Sequence, residues 1–324
     1  MPNAIMIRDY GPSDALRLED IEPAQLHPDE IRLRQTAIGV NYHDVYVRSG
    51  LYKTLALPGI PGCEAAGIVE SVGADVSGIE PGDRVGYVTG AYGAYASHRN
   101  LAAHLAVHIP DDVTDETVAS NLLRALTVEM LTAQVHLIKP GSCVLVHAAA
   151  GGVGRMLCQA LSNLGATVIG TVGSAQKAEI AVENGCAHPI LYREVEFTTS
   201  VAEITGGSGV DVVYDSVGAD TFPGSIEALA MCGHLVNFGQ SSGPVNPLAM
   251  ATLAAKSLTV SRPILFHYLR DPAQYQAMAE KVMGDFQSGI LKAAEPMAIP
   301  LKDAAKAHDT LESKTGGGSL VLIP

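Results

Sequence analysis

The chain has 324 residues, about twice the size of a typical domain, which predicts two domains or one large one. Apolar residues make up 47% and charged residues 17%, so the chain can bury a large core and is not intrinsically disordered. The net charge of −13 disfavours nonspecific binding to nucleic acid or anionic lipid, and no apolar run is long enough to span a membrane. No secretory signal is visible and the five cysteines are dispersed, so we expect a cytoplasmic protein.

The first 120 residues are rich in turns and short strand-like runs. Residues 31–34 alternate between apolar and charged side chains, and residues 67–73 form a strand-like run bounded by glycines. Residues 81–85 predict a turn that leads into a strand. This part of the chain therefore predicts an irregular, mostly β domain.

A helix is predicted over residues 115–137, and short strands and helices alternate after it. The predicted strands cover residues 144–147, 167–172, 210–215 and 234–238, and the predicted helices cover residues 153–164, 177–184 and about 222–230. Such alternation is typical of a parallel α/β sheet. After about residue 265 the pattern is helical again, and we assign the closing strand-like run, residues 319–323, to the first domain.

A glycine-rich turn lies between the first of these strands and the helix that follows it. Its spacing is that of G-x-G-x-x-G with Ala149 at the first glycine position. Small residues in such a turn let the backbone approach a pyrophosphate, whose charge is favoured by the N-terminus of the helix. The turn therefore predicts a dinucleotide site formed by Ala150, Gly151, Gly152, Val153 and Gly154.

The end of the next strand indicates which dinucleotide binds. An NAD site usually has an Asp or Glu about 20 residues after the turn, but the first acidic residue after Gly154 is Glu179. The strand is followed instead by Gly173, Ser174 and Lys177, and a hydroxyl and an ammonium suit a 2′-phosphate. Both residues also have a purely structural interpretation: Ser174 can be the N-cap of a helix, and Lys177 can be a solvent-exposed lysine in its first turn. We therefore expect NADPH rather than NADH.

The residues that carry the chemistry are not metal ligands in this interpretation. The sequence contains neither an H-E-x-x-H motif nor a cysteine cluster with structural-zinc spacing, so no metal is expected. Chemistry would then depend on the hydride of the cofactor and on ordinary hydrogen-bond donors. The densest polar and aromatic stretch is residues 41–52, where Tyr46, Arg48 and Tyr52 fit a flat pocket. The alternative is that these three side chains only pack within the domain.

Taken in order, these stretches resemble the zinc-independent medium-chain reductases of the quinone oxidoreductase (zeta-crystallin-like) type. The resemblance covers essentially the whole chain and is carried by residues 39–44, 48–52, 61–69, 148–154, 170–174, 212–218 and 262–263. It implies an α/β protein with a GroES-like, β-rich catalytic domain (residues 1–124 and 265–324) and a doubly wound Rossmann domain with a parallel sheet (residues 125–264). It also implies a homodimer that forms through the Rossmann part.

The resemblance implies roles for individual residues, with NADPH in the cleft between the two domains. Asn41, Tyr46 and Thr127 would lie at the nicotinamide end, and Ser174, Lys177 and Tyr192 would hold the 2′-phosphate. Further cofactor contacts are implied for Ser216, Phe238, Gly239, Gln240, Ser241, Phe266 and Lys314. The catalytic candidates are Asn41, Tyr46, Arg48, Tyr52 and Thr127.

The metal-using relatives of this family and the departures of this chain from the family pattern are also informative. Zinc alcohol dehydrogenases carry a catalytic Cys where Asn41 stands and a His where Cys63 stands, so the resemblance agrees with a site that lacks zinc. Where relatives often have Lys-Gly, this chain has Arg124-Ala125, which keeps a cation. Lys314 stands where relatives often have Arg.

The implied reaction is hydride transfer from NADPH to a quinone, which needs little acid catalysis because the charge of the product is delocalised. One alternative is reduction of an activated C=C bond in an enone, enal or enoyl thioester, where Tyr46 or Tyr52 would protonate the enolate. The other is a non-catalytic NADPH-binding protein of the crystallin or RNA-binding type. The acidic charge and the absence of a basic aromatic patch disfavour the RNA-binding form.

Overall fold

The chain divides into two compact units in a computed structural model that describes residues 1–22, 24–313 and 319–324. The first unit comprises Met1–Leu123, Leu269–Gly289 and Ala293–Pro324. The second unit comprises Arg124–Tyr268 and Ile290–Lys292. No helix within the described ranges is long and apolar enough to cross a bilayer.

Strands dominate the first part of the chain, and strands and helices alternate in the middle. The chain begins with β1 Asn3–Met6, β2 Arg17–Asp20, β3 Glu30–Val40, α1 Tyr42–Arg48, β4 Glu64–Val72, β5 Arg84–Val88, β6 His98–Ala102, β7 Val107–His108 and α2 Asp115–Glu129. It continues with β8 Cys143–Val146, α3 Gly152–Asn163, β9 Thr167–Val172, α4 Ala175–Glu183, β10 His188–Leu191, α5 Phe197–Ile204, β11 Val210–Asp215, α6 Phe222–Ala228, β12 Leu229–Asn237, α7 Met250–Ala254, β13 Thr259–Ser261 and α8 Leu265–Tyr268. It ends with α9 Pro272–Ser288, β14 Met297–Pro300, α10 Ala304–Glu312 and β15 Leu320–Ile323.

The second unit contains the predicted parallel sheet. Its six strands are all parallel and lie in the order β10-β9-β8-β11-β12-β13. The direction of winding reverses between β8 and β11, and ligands of such sheets bind at the carboxyl ends of the strands at this reversal. The turn that follows β8 therefore lies where a dinucleotide is expected. The fold class predicted from the sequence is confirmed.

The helix after this turn is held by its apolar face and by glycines at both ends. Gly151 is its N-cap, and Met156, Leu157 and Leu161 are buried in the second unit. The helix ends before Gly165, whose φ of +79° is a conformation that favours glycine. The apolar spacing that predicted a helix over residues 153–164 thus gives α3 one residue earlier at each end.

Two predicted elements differ from the structure by five residues or more at one end. The helix predicted over residues 115–137 is α2 only to Glu129 and continues as a π-helix over Met130–Val135. The strand predicted over residues 234–238 begins at Leu229 instead, because the chain pairs with β11 before an irregularity in the register. Cys232 lies at that irregularity with a φ of +61°, which breaks the alternation from which a strand is inferred.

The first unit is built on a mostly antiparallel sheet. Its main strand order is β14-β15-β3-β4-β5-β7, and β6 also pairs with β3. The closing strand β15 pairs with β3 through Leu320 and Val40 and so lies in the sheet of the first unit. The long strand β3 ends directly before Asn41, so the sheet itself fixes where α1 begins.

Candidate functional site

The turn after β8 has the geometry of a phosphate-binding loop. Ala148 has a φ of +54°, and α3 begins at Gly152 with its N-terminus at the turn. A Cβ atom on Gly154 would lie 2.2 Å from the Ala148 carbonyl oxygen, so only glycine lets the helix approach the strand this closely. These contacts give a physical reason for the glycines from which the sequence predicted a dinucleotide site.

A guanidinium group lies against this turn. A Cβ atom on Gly152 would lie 2.9 Å from the central guanidinium carbon of Arg124, which is itself buried. The helix N-terminus and the arginine together favour an anion at the turn. The residues present therefore fit a pyrophosphate, and Arg124 retains the cation that the sequence departure left in place.

A buried histidine, His147, precedes the turn at the end of β8. His147 places Nδ1 2.9 Å from Thr171 Oγ1 and Nε2 2.9 Å from Ser225 Oγ. Burial lowers the pKa of His147 to about 4, so the imidazole is neutral near pH 7. Its two hydroxyl partners tie the end of β8 to β9 and α6, which fixes the start of the turn.

The residues predicted to hold the 2′-phosphate lie together at the end of β9. Ser174 is the N-cap of α4 and accepts a hydrogen bond from the Lys177 backbone N–H (3.3 Å), so the N-cap interpretation is also observed. Both side chains are exposed. A Cβ atom on Gly173 would lie 3.1 Å from the Tyr192 hydroxyl oxygen and 3.5 Å from Arg193 Nε. Tyr192 therefore adjoins Gly173, and its contact with the 2′-phosphate stays a prediction.

Arg193 is a cation at this position that the sequence interpretation missed. It is exposed and directly follows Tyr192 at the end of β10. Its basic side chain beside a predicted phosphate contact was the available signal. With Lys177, it gives this corner of the second unit two cations suited to a phosphate.

Ser216 and the loop after β12 are also brought together. The Ser216 carbonyl oxygen accepts the Ser241 N–H (3.2 Å), and a Cβ atom on Gly239 would lie 2.5 Å from that same oxygen. The Phe238 N–H donates to the Asp215 carbonyl oxygen (2.8 Å). The loop over residues 238–241 thus lies at the carboxyl ends of β11 and β12, on the ligand edge of the sheet.

The remaining predicted cofactor residues are Ala150, Thr127, Val153 and Phe266 of the second unit, and Lys314. Ala150 and Thr127 are buried, Val153 lies in the first turn of α3, and Phe266 lies in α8. Lys314 lies outside the described residues. The contacts proposed for these residues stay predictions.

In the first unit, Asn41 is held by the side chains of Glu64 and Asp44. Its side-chain Nδ2 donates to Glu64 Oε1 (2.6 Å), and its backbone N–H donates to Asp44 Oδ2 (2.8 Å). Asn41 is the N-cap of α1, which carries Tyr46 on the next turn. Glu64 is fully buried and was not singled out from the sequence.

The predicted aromatic residues form one group, which we call the tyrosine cluster: Tyr42, Tyr46, Tyr52 and Tyr92 with His43. Tyr46 lies 5.0 Å from Tyr52 and 5.3 Å from Tyr42 between ring centroids. His43 places Nε2 3.1 Å from the Tyr92 hydroxyl, and burial lowers its pKa to about 4. Tyr46 and Tyr52 are thus brought together as predicted, whereas His43 and Tyr92 were missed.

Arg48 is not part of the tyrosine cluster. Its guanidinium is nearly buried and binds Glu312 through two hydrogen bonds of 2.9 and 3.1 Å. It also lies 3.4 Å from His308 Nδ1, and His308 Nε2 lies 3.0 Å from the Tyr95 hydroxyl. These contacts favour a packing role, the alternative noted from the sequence, and a catalytic role for Arg48 stays a prediction.

The hydrogen-bond network around Arg48 continues to Asp44, whose carboxyl group accepts from the Asn41 backbone N–H. The Tyr95 hydroxyl donates to Asp44 Oδ2 (3.2 Å), which links His308 to the start of α1. Burial raises the pKa of Asp44 to about 7 and lowers the pKa of His308 to about 3. In the described part of the chain, no group of three or more histidines, cysteines and carboxylates could hold a metal ion.

Comparisons with known proteins cover the entire chain. A family model described as "Alcohol dehydrogenase GroES-like domain" matches residues 27–111, and one described as "Zinc-binding dehydrogenase" matches residues 152–283. A quinone oxidoreductase of Pseudomonas aeruginosa is 41% identical over 325 residues and covers 100% of both chains. A 2-haloacrylate reductase of a Burkholderia species is 38% identical and covers 100% of this chain and 99% of its own.

A solved structure gives the same relationship in three dimensions. The crystal structure of Escherichia coli quinone oxidoreductase complexed with NADPH is 42% identical to this chain and has a TM-score of 0.96. The match covers 99% of this chain and 100% of that chain.

Proposed function

Because the chain belongs to the quinone oxidoreductase family of medium-chain dehydrogenases and reductases, we propose that it reduces quinones with NADPH. The observation that carries the proposal is the full-length relationship to the E. coli enzyme that was crystallised with NADPH, at 42% identity. The glycine turn with Arg124 beside it supports the nucleotide part independently of any relative.

The second unit supplies the groups that bind the cofactor in this proposal. Residues 151–154 and Arg124 bind the pyrophosphate, and Lys177, Tyr192 and Arg193 bind the 2′-phosphate. When bound, NADPH supplies the hydride. Thr127 and the loop over residues 238–241 complete the nicotinamide side, as the family resemblance implies.

The first unit supplies the acceptor pocket. Tyr46 and Tyr52 offer a flat aromatic surface of the kind that a quinone ring packs against. Their hydroxyl groups are proton donors within the same cluster, but a quinone accepts a hydride without an obligatory acid. Asn41 holds the nicotinamide end, and its place in the family pattern supports a reaction without zinc.

The proposal extends to organisation and location. We assign residues 1–124 and 265–324 to the catalytic domain and residues 125–264 to the nucleotide-binding domain. We also propose a cytoplasmic homodimer that forms through the Rossmann part. Sedimentation of the purified protein as a monomer would contradict the dimer.

NADPH oxidation with a panel of acceptors tests the function. Para- and ortho-quinones should turn over faster than 2-enals, 2-haloacrylates or enoyl thioesters. Tyr46→Phe and Tyr52→Phe should leave quinone reduction nearly intact, because no acid is required. Suppose instead that quinones are not reduced, and that a conjugated acid or thioester is reduced in a reaction that depends on one tyrosine. The function would then be reduction of activated C=C bonds. Tight NADPH binding without any turnover would leave the non-catalytic alternative.

A further inference from the structure

Glu64 is a fully buried carboxylate that contacts the amide of Asn41. It is the first residue of β4, with Oε1 2.6 Å from Asn41 Nδ2 and Oε2 2.7 Å from the backbone nitrogen of Leu123. The fold leaves space for it at Gly39, where a Cβ atom would lie 2.6 Å from Oε1. A buried carboxylate costs stability unless its oxygens are hydrogen-bonded, so this arrangement is specific.

The chemistry of the pair fixes which way the Asn41 amide is turned. Glu64 accepts a hydrogen bond through each oxygen, Oε2 from the Leu123 N–H and Oε1 from Asn41 Nδ2, whereas an amide has a donor side and an acceptor side. Asn41 therefore directs its NH₂ group at Glu64, and its oxygen Oδ1 faces the backbone N–H of Asp44 in the capping box and keeps a second lone pair that can meet a ligand. Reversal of the amide would place two acceptors against each other.

We propose that Glu64 is a positioning residue that keeps Asn41 as a hydrogen-bond acceptor toward the nicotinamide half of the cofactor. The ligand group that it selects is a donor, such as a carboxamide NH₂ or a ribose hydroxyl. The identity of the ligand rests on the proposed function, whereas the orientation of Asn41 rests on the hydrogen bonds of the first unit alone.

Glu64→Gln is the sharpest single test because it keeps the shape of the side chain. If the introduced amide oxygen accepts from the Leu123 N–H, its NH₂ group faces Asn41, which must then turn its own NH₂ toward the ligand. Binding of NADPH and of NADH should weaken by a similar factor, about ten- to a hundredfold, because both share the nicotinamide half. Glu70→Gln, on the exposed face of the same strand, is the matched control and should bind as wild type does.

The double variant Asn41→Asp with Glu64→Gln separates orientation from general damage. The introduced glutamine then donates its NH₂ group to the introduced aspartate, which keeps an acceptor oxygen for the ligand, so the donor and acceptor roles of the pair are exchanged. Asn41→Asp alone opposes two carboxylates and should bind worst. We expect the double variant to recover at least tenfold in affinity over either single variant in a titration of NADPH fluorescence.

The outcomes distinguish this inference from the proposed function. A wild-type protein that does not bind NADPH would refute the proposed function and the assigned ligand together. Wild-type binding with unchanged affinity in Glu64→Gln would overturn the positioning role and leave the proposed function standing. If Glu64→Gln folds poorly by circular dichroism, the double variant decides: recovered folding and binding support the pair, and no recovery overturns it.

Discussion

Asp44 gives a quantitative prediction for how stability depends on pH. The carboxyl group is fully buried, and its Oδ2 accepts from the Asn41 N–H and the Tyr95 hydroxyl. Among the described residues its Oδ1 has no hydrogen-bond partner. Burial raises the pKa of Asp44 from 3.8 to about 7. Asp44→Asn replaces this carboxyl with a neutral group of the same shape.

The sign follows from where each state holds the proton. The folded protein keeps Asp44 protonated up to about pH 7, whereas the unfolded chain releases the proton near pH 4. The stabilisation from protonated Asp44 is therefore complete below about pH 4 and falls by about 1.4 kcal/mol per pH unit up to about pH 7. The full change is about 4 kcal/mol. Asp44→Asn has no such proton to lose.

Urea denaturation of the two proteins from pH 5 to pH 8, followed by circular dichroism, measures the difference. The free energy of unfolding of wild type relative to Asp44→Asn should fall by about 3 kcal/mol over this range. Other titrating groups, such as His43 and His308, are common to both proteins and cancel to first order. Asp111→Asn removes an exposed carboxylate and is the matched control. A difference that stays flat, or that favours wild type as the pH rises, would refute the reasoning.

Three substitutions in the second unit follow from the same contacts. Lys177→Glu should weaken NADPH about ten- to a hundredfold and NADH far less in parallel titrations, because a like charge then meets the 2′-phosphate; equal losses would contradict this. Arg124→Met should weaken both cofactors by a similar factor, since both carry the pyrophosphate, and a loss confined to NADPH would count against it. Gly154→Ala should lower the free energy of unfolding by about 1–3 kcal/mol in urea, because its Cβ would lie 2.2 Å from the Ala148 carbonyl oxygen. Gly284→Ala, in open space on α9, is its control and should not destabilise the protein.

The sequence was most informative where local pattern decides structure. The strands predicted over residues 167–172 and 210–215 match β9 and β11 to the residue, because both are short runs rich in Val, Ile, Thr and Tyr with clear ends. The turn at residues 148–154 was recognised because its glycines, its strand and its helix adjoin in sequence. The start of β12 was missed because the left-handed Cys232 interrupts the pattern there.

The parts of the candidate site that were missed depend on pairs far apart in the chain. Glu64 meets Asn41 across 23 residues, and Tyr92 meets His43 across 49. Arg48 was placed in a pocket because it neighbours two tyrosines in sequence, but its partner is Glu312, which is 264 residues away. Periodicity reports which face of an element is buried, and it carries no information on which distant side chain lies opposite.

The position of β15 bears on how the protein is made. This last strand lies inside the sheet of the first unit, between β14 and β3, although β3 is synthesised about 280 residues earlier. During translation the second unit can close from nearly contiguous residues, whereas the pairing of β3 with β15 must wait until residues 320–323 have left the ribosome. Until then β3 has an open edge where β15 will pair, and such an edge is a template for association with another chain.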